Sequence, residues 1–120
     1  MKIAFTTSGS DLGAPLDSRF GRAPKYIIYD LESGAFEVVD NEKNLNAAQG
    51  AGIQAAEAVV RLGANCVVTG HCGPKAFRVL SAAGVKVYNT DALTVAEALD
   101  RFRAGKLVAA GSADVEGHHV

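Results

Sequence analysis

The residues best suited to chemistry lie in one short run, Thr69-Gly70-His71-Cys72-Gly73-Pro74-Lys75. A thiol beside an imidazole offers a soft-metal ligand or a nucleophile, and a thiol at a helix N-terminus tends toward a lowered pKa. Zinc and copper sites need further nitrogen or sulfur donors at defined spacing. The chain has neither a Cys-x-x-Cys nor a His-x-x-x-His. Cys72 alone therefore makes no metal site, and metal ligand, nucleophile and inert thiol all stay open. His71 is a second potential donor, although a loop histidine that merely faces solvent is the commoner case. Cys66 falls in an apolar run and reads as a small core residue. His118 and His119 sit side by side near the end of the chain and read as part of a frayed tail.

Anion binding is the other chemistry this run could perform. It sits where a strand should end and a helix should begin. That is the edge of an open α/β sheet where ligands bind. The first turn of a helix presents unpaired N–H groups and a partial positive charge. Gly70 and Gly73 would permit close backbone approach, and Lys75 and Arg78 would add charge; a tight turn beside solvated cations explains the same residues equally well. A second cationic run, Arg19-Phe20-Gly21-Arg22 with Lys25, lies in a long loop. It suits an anionic ligand with an apolar body, with Phe20 better read as an anchor into the core. A third polar stretch, Asn41 to Gly52, holds Asn44, Asn46, Gln49, Gly50 and Gly52 and leads into another helix start.

Enzyme signatures are scarce. There is no G-x-x-x-x-G-K-[ST] phosphate loop, no G-x-G-x-x-G and no G-x-S-x-G. Asp11, Asp17, Asp30 and Asp40 fall on two loops and two strand ends and form no obvious two-metal set. Ser18 and Ser81 have no histidine partner that sequence identifies.

These residues need a scaffold. At 120 residues the chain suits one domain, here expected over 1–110 with a flexible tail at 111–120. Twelve basic and thirteen acidic residues leave a net charge of −1, which disfavours nucleic acid as a partner. No apolar run approaches the ~20 residues of a membrane span. Met1 to Phe5 runs into a strand-like segment without a signal-peptide core, so the expected location is cytoplasmic.

Lys2–Thr7 and Tyr26–Asp30 read as strands, and Ala35–Val39 returns from a turn at Glu32-Ser33-Gly34. Ala47–Leu62 carries Ile53, Ala56 and Val60 at helical spacing, stopped by Gly63. Asn65–Thr69 reads as a central parallel strand. Pro74 opens a helix to about Ala83, with Ala76, Phe77 and Leu80 inward. Val85–Tyr88 is the last strand. Thr94-Val95-Ala96-Glu97 is a capping box; Leu93 and Ala98 are placed to staple the helix it opens, Leu99 and Phe102 face the core, and Gly105 stops it. The order is βββαβαβα, an α/β fold with a five-stranded mixed sheet flanked by helices.

Five runs occur in order: Ser18-Arg19-Phe20-Gly21-Arg22-Ala23, Gly50 to Ala56, Thr69 to Ala76, Ala83 to Tyr88, and Thr94-Val95-x-Glu97-Ala98-Leu99. Together they resemble the dinitrogenase iron–molybdenum cofactor biosynthesis family over about residues 1–108. The compact, cysteine-poor chain looks most like the family's orange-protein members from sulfate-reducing bacteria. The resemblance implies a ribonuclease H-like fold and binding or delivery of a preformed metal–sulfur cluster rather than catalysis. It implies an anionic molybdenum–copper sulfide cluster, or alternatively an iron–molybdenum cluster, and protein partners that include P-loop ATPases. A partner-binding module without a cofactor, and a small enzyme using Cys72, are the competing readings. Under the cluster reading the site takes Arg19, Phe20, Gly21 and Arg22 from one loop. Gly70, His71, Cys72, Gly73, Pro74 and Lys75 come from the other. Cys72 is an optional metal contact and His71 a weaker one.

Overall fold

The computed structural model describes residues 1–42 and 50–111. Five strands form one sheet in the order β3-β2-β1-β4-β5. They are β1 (Lys2–Thr7), β2 (Lys25–Asp30), β3 (Phe36–Asp40), β4 (Cys66–Thr69) and β5 (Lys86–Asn89). β1 is the hinge of the mixed sheet: Phe5 pairs with Ile27 of antiparallel β2 on one side and with Val68 of parallel β4 on the other. β4 has all four residues buried because helices cover both its faces.

Among the described residues three helices flank the sheet: α1 (Ala51–Arg61), α2 (Pro74–Ala82) and α3 (Val95–Arg103). Side chains alternate across each strand, so the core divides in two. Ala4, Tyr26, Ile28, Val67 and Val87 face α1 and α2. Ile3, Phe5, Ile27, Tyr29 and Val68 face α3. The helices after β4 and β5 thus leave toward opposite faces, which opens the sheet's carboxyl edge.

The hairpin turn forms as expected. The Asp30 carboxylate accepts from the Glu32 and Ser33 N–H groups at 2.9 and 3.4 Å, which holds its pKa below the usual range. The α3 cap also forms, with Thr94 Oγ1 accepting from Glu97 N at 3.1 Å. Glu97 Oε1 accepts in return from Leu93 N at 2.8 Å, one residue earlier than in the usual capping box.

Three local expectations are corrected. The helix expected from Ala47 begins at Ala51: Ala47 lies outside the described residues, and Gly50 has φ 78°, a left-handed conformation that no helix continues through. Its core face is Ala55, Ala56 and Val59, so Ile53 and Val60 flank the buried stripe and only Ala56 of the expected trio is fully inside. The staple is absent: Leu93 is 77% exposed, because its backbone carbonyl is tied to Leu16 N at 3.0 Å and the side chain is left facing water. At the far end, Ala110 N donates to Val87 O at 2.7 Å, so the chain stays against β5 through the last residues described. The expected tail from 112 onward, with His118 and His119, lies outside the described residues.

Candidate functional site

The loop after β1 turns back along the end of β4. His71 N donates to Ser18 O at 2.7 Å and Phe20 N donates to His71 O at 3.0 Å, so Ser18–Phe20 continues the parallel ladder where β1 has ended. This places the two cationic runs side by side, as their position at neighbouring strand ends predicts. Gly70 makes the approach possible. A Cβ there would lie 2.7 Å from both Cα and O of Ser18. Gly73 has open space around the same position and plays no such part.

Phe20–Arg22 then forms a single 3-10 turn. Phe20 is 1% exposed and packs on Tyr26 with ring centroids 5.5 Å apart, which makes it the anchor the sequence suggests. Gly21 rests on the start of α1, where a Cβ would come within 2.8 Å of Gly52 Cα. The N-terminus of α1 therefore reaches the same edge as that of α2. Asn44, Asn46 and Gln49, which lead into α1, lie outside the described residues.

The result is an open cavity of about 440 Å³. Arg19, Arg22, His71 and Lys75 border it together with Phe20, Pro74 and Ala76, and Gly21, Gly52 and Gly73 add backbone; the lining surface itself is almost entirely apolar. No carboxylate is among these lining residues. Two helix starts and three permanent cations thus converge on one depression. A larger cavity of about 590 Å³ lies across the Ser18–His71 strip, bounded by Leu16, Asn89, Thr90 and Leu93. It has no Lys or Arg in its lining and includes Asp91, whose carboxylate is paired with Arg101 at 2.7 Å. Size alone would favour that cavity, but its charge does not suit an anion.

Several expected site residues sit elsewhere. Cys72 does not line the cavity; it is 1% exposed, in the core with Phe20, Tyr26 and Ala76. The reason is alternation. Because the chain after β4 stays extended against Ser18–Phe20, His71 faces out and Cys72 faces in. Gly70 borders the larger cavity, where its carbonyl accepts from Asn89 Nδ2 at 3.1 Å, and donates nothing to the cationic one. Lys25 reaches toward Ser10 Oγ at 3.4 Å, and neither it nor Arg78 lines the cavity. Cys66 is a core residue, and burial pushes its thiol up to about 11. Among the described residues no group of three or more His, Cys, Asp or Glu side chains could hold a metal ion.

Sequence reading left α1's contribution undecided. The available signal was Gly21, where a Cβ would meet the backbone of Gly52 at the start of α1.

The model of the dinitrogenase iron-molybdenum cofactor family matches residues 1–105. The chain belongs to that family. It is similar to the apo form of the orange protein from Desulfovibrio gigas, at 40% identity and a TM-score of 0.92, over 95% of this chain and 96% of that one. It is similar also to a Thermotoga protein provisionally named NifB, at 39% identity and a TM-score of 0.84, over 97% and 98% of the two chains. An uncharacterised protein of Methanocaldococcus jannaschii is 30% identical over 110 residues, 89% of each chain. Three of the five runs, Ser18–Ala23, Gly50–Ala56 and Thr69–Ala76, meet at the cavity in the folded chain. Among the described residues no helix is long and apolar enough to cross a membrane.

Proposed function

We propose that this member of the dinitrogenase iron-molybdenum cofactor family holds and delivers an anionic metal–sulfur cluster, as a carrier rather than a catalyst. The cargo we favour is a molybdenum–copper sulfide, with an iron–molybdenum cluster as the alternative. The observation that carries this reading is the convergence of Arg19, Arg22 and Lys75 with two helix starts on a cavity that no carboxylate lines among the described residues. A bare metal ion would need donors that the described residues do not group together. A cluster whose own sulfides saturate its metals needs only positive charge, N–H donors and an apolar wall. Each helix end favours an anion by roughly 0.3–1 kcal/mol at a surface, so the cations must supply most of the attraction. Cys72, buried beneath the cavity, has no ligand role in this reading.

Anaerobic reconstitution with tetrathiomolybdate and Cu(I) tests it. The expected result is a defined visible charge-transfer spectrum, with fixed molybdenum and copper per chain after desalting. Replacing Arg22 and Lys75 together by glutamine removes up to about 1 kcal/mol for each solvent-exposed ion contact, so retention should fall by as much as ~30-fold. Free elution of both metals from the native chain would refute the molybdenum–copper assignment. Retention unchanged in the double variant would refute the electrostatic site.

A further inference from the structure

The 3-10 turn that presents Arg19 and Arg22 is held by few bonds of its own; across it, Arg22 N donates to Arg19 O at a long 3.3 Å. Its two ends are instead tied from below by buried side chains of the hairpin. Tyr26 Oη donates to Phe20 O at 2.6 Å, and Asn41 Nδ2 donates to Ala23 O at 2.8 Å. Both side chains are 1% exposed. Asn41 N also donates to Pro24 O at 2.8 Å, so the end of β3 grips the chain just after the turn. Neither side chain lines the cavity.

We infer that Tyr26 and Asn41 are positioning residues for the anion site: they clamp the carbonyls at either end of the Phe20–Arg22 turn and so aim Arg19 and Arg22 across the cavity at Lys75. A buried hydroxyl and a buried amide spent on the two carbonyls that flank one turn are a costly arrangement unless fully paired, and here the pairing fixes a functional segment. Burial, with Cys72 and Asp17 nearby, pushes the Tyr26 phenol far above its ordinary range, so it remains a donor at every physiological pH. The inference rests on the cluster-binding reading of the cavity.

The test is tetrathiomolybdate affinity of the full chain, measured from low to high salt on Tyr26→Phe, Asn41→Ala and Tyr29→Phe. Tyr29 lies on the opposite face of β2, where its hydroxyl accepts from Arg103 at 2.7 Å, and serves as the matched loss of a tyrosine hydroxyl. At temperatures where each variant is folded by circular dichroism, Tyr26→Phe and Asn41→Ala should each weaken binding roughly tenfold, the lower range for loss of a group that orients binding residues. Their salt dependence should also flatten, because fewer cations converge on the anion; Tyr29→Phe should change neither quantity. If Tyr26→Phe does not fold, Asn41→Ala decides alone. Native affinity and native salt slope in the folded variants would overturn the clamp while leaving the site intact. No binding by the native chain would overturn the cavity reading and the clamp with it.

Discussion

The contact between Gly21 and Gly52 is the point at which the fold assembles the site, and Gly21→Ala tests it. A Cβ on Gly21 would lie 2.8 Å from Gly52 Cα, 3.1 Å from Gly52 N and 3.7 Å from Ala51 C. All three are backbone atoms in the first turn of α1, so no side chain can swing away. The turn and the helix start must separate by several tenths of an ångström. Overpacking of this kind costs about 1–3 kcal/mol. For a domain of this size each kcal/mol lowers Tm by about 4 °C, giving an expected drop of ~4–12 °C. Because the separation moves Arg22 away from the α1 N-terminus, tetrathiomolybdate retention should fall as well. Gly73→Ala is the control for stability alone, because Gly73 itself borders the cavity: nothing lies within 4 Å of its added Cβ, and its φ of −69° suits any residue. There the poorer N-cap and the restricted unfolded chain offset each other within about 1 kcal/mol. Calorimetry on the two variants and desalting on Gly21→Ala decide the matter. Equal Tm and equal retention in Gly21→Ala and the native chain would refute the close approach.

Further outcomes follow from the same packing. Thr94→Ala removes the acceptor for Glu97 N and should cost about 1 kcal/mol in urea unfolding. Leu93→Gln should change stability by no more than about 0.5 kcal/mol, since the side chain makes no staple and stands in water. Between about pH 6 and pH 9 stability should be flat, and it should fall above that. The Cys66 thiol, raised to about 11 in the folded chain, holds its proton there while the unfolded chain loses its own, so unfolding is favoured as pH rises from about 9 to 11. Tyr26, also raised, adds to the fall above about pH 10. Cys66→Ala should flatten the first part of that fall in urea titrations at stepped pH, and an unchanged profile would contradict the assignment.

Much of this molecule is written locally. The continuous apolar run ending at Thr69 could only be a strand covered on both faces. Glu32-Ser33-Gly34 between two segments rich in β-branched and aromatic residues reads as a hairpin turn. Thr94 and Glu97 announce their helix by capping chemistry that acts across three residues. The two cationic runs could be placed at one sheet edge because each follows a strand, and strand ends in a parallel pair lie together. What local pattern could not decide was the direction of individual side chains and the distances between remote segments. Cys72 looked like a loop thiol until the pairing of His71 with Arg19 extended the strand alternation and turned the sulfur inward. Lys25 and Arg78 carry the same charge as Arg22 and Lys75, yet only the latter pair borders the cavity. The roles of Gly52, Tyr26 and Asn41 depend on contacts with segments 6 to 31 residues away, between Gly52 and Gly21, Tyr26 and Phe20, and Asn41 and Ala23. Residue type and spacing fixed the elements and the kind of chemistry; which groups share one cavity is a property of packing, because it depends on atoms that meet only once the sheet has formed.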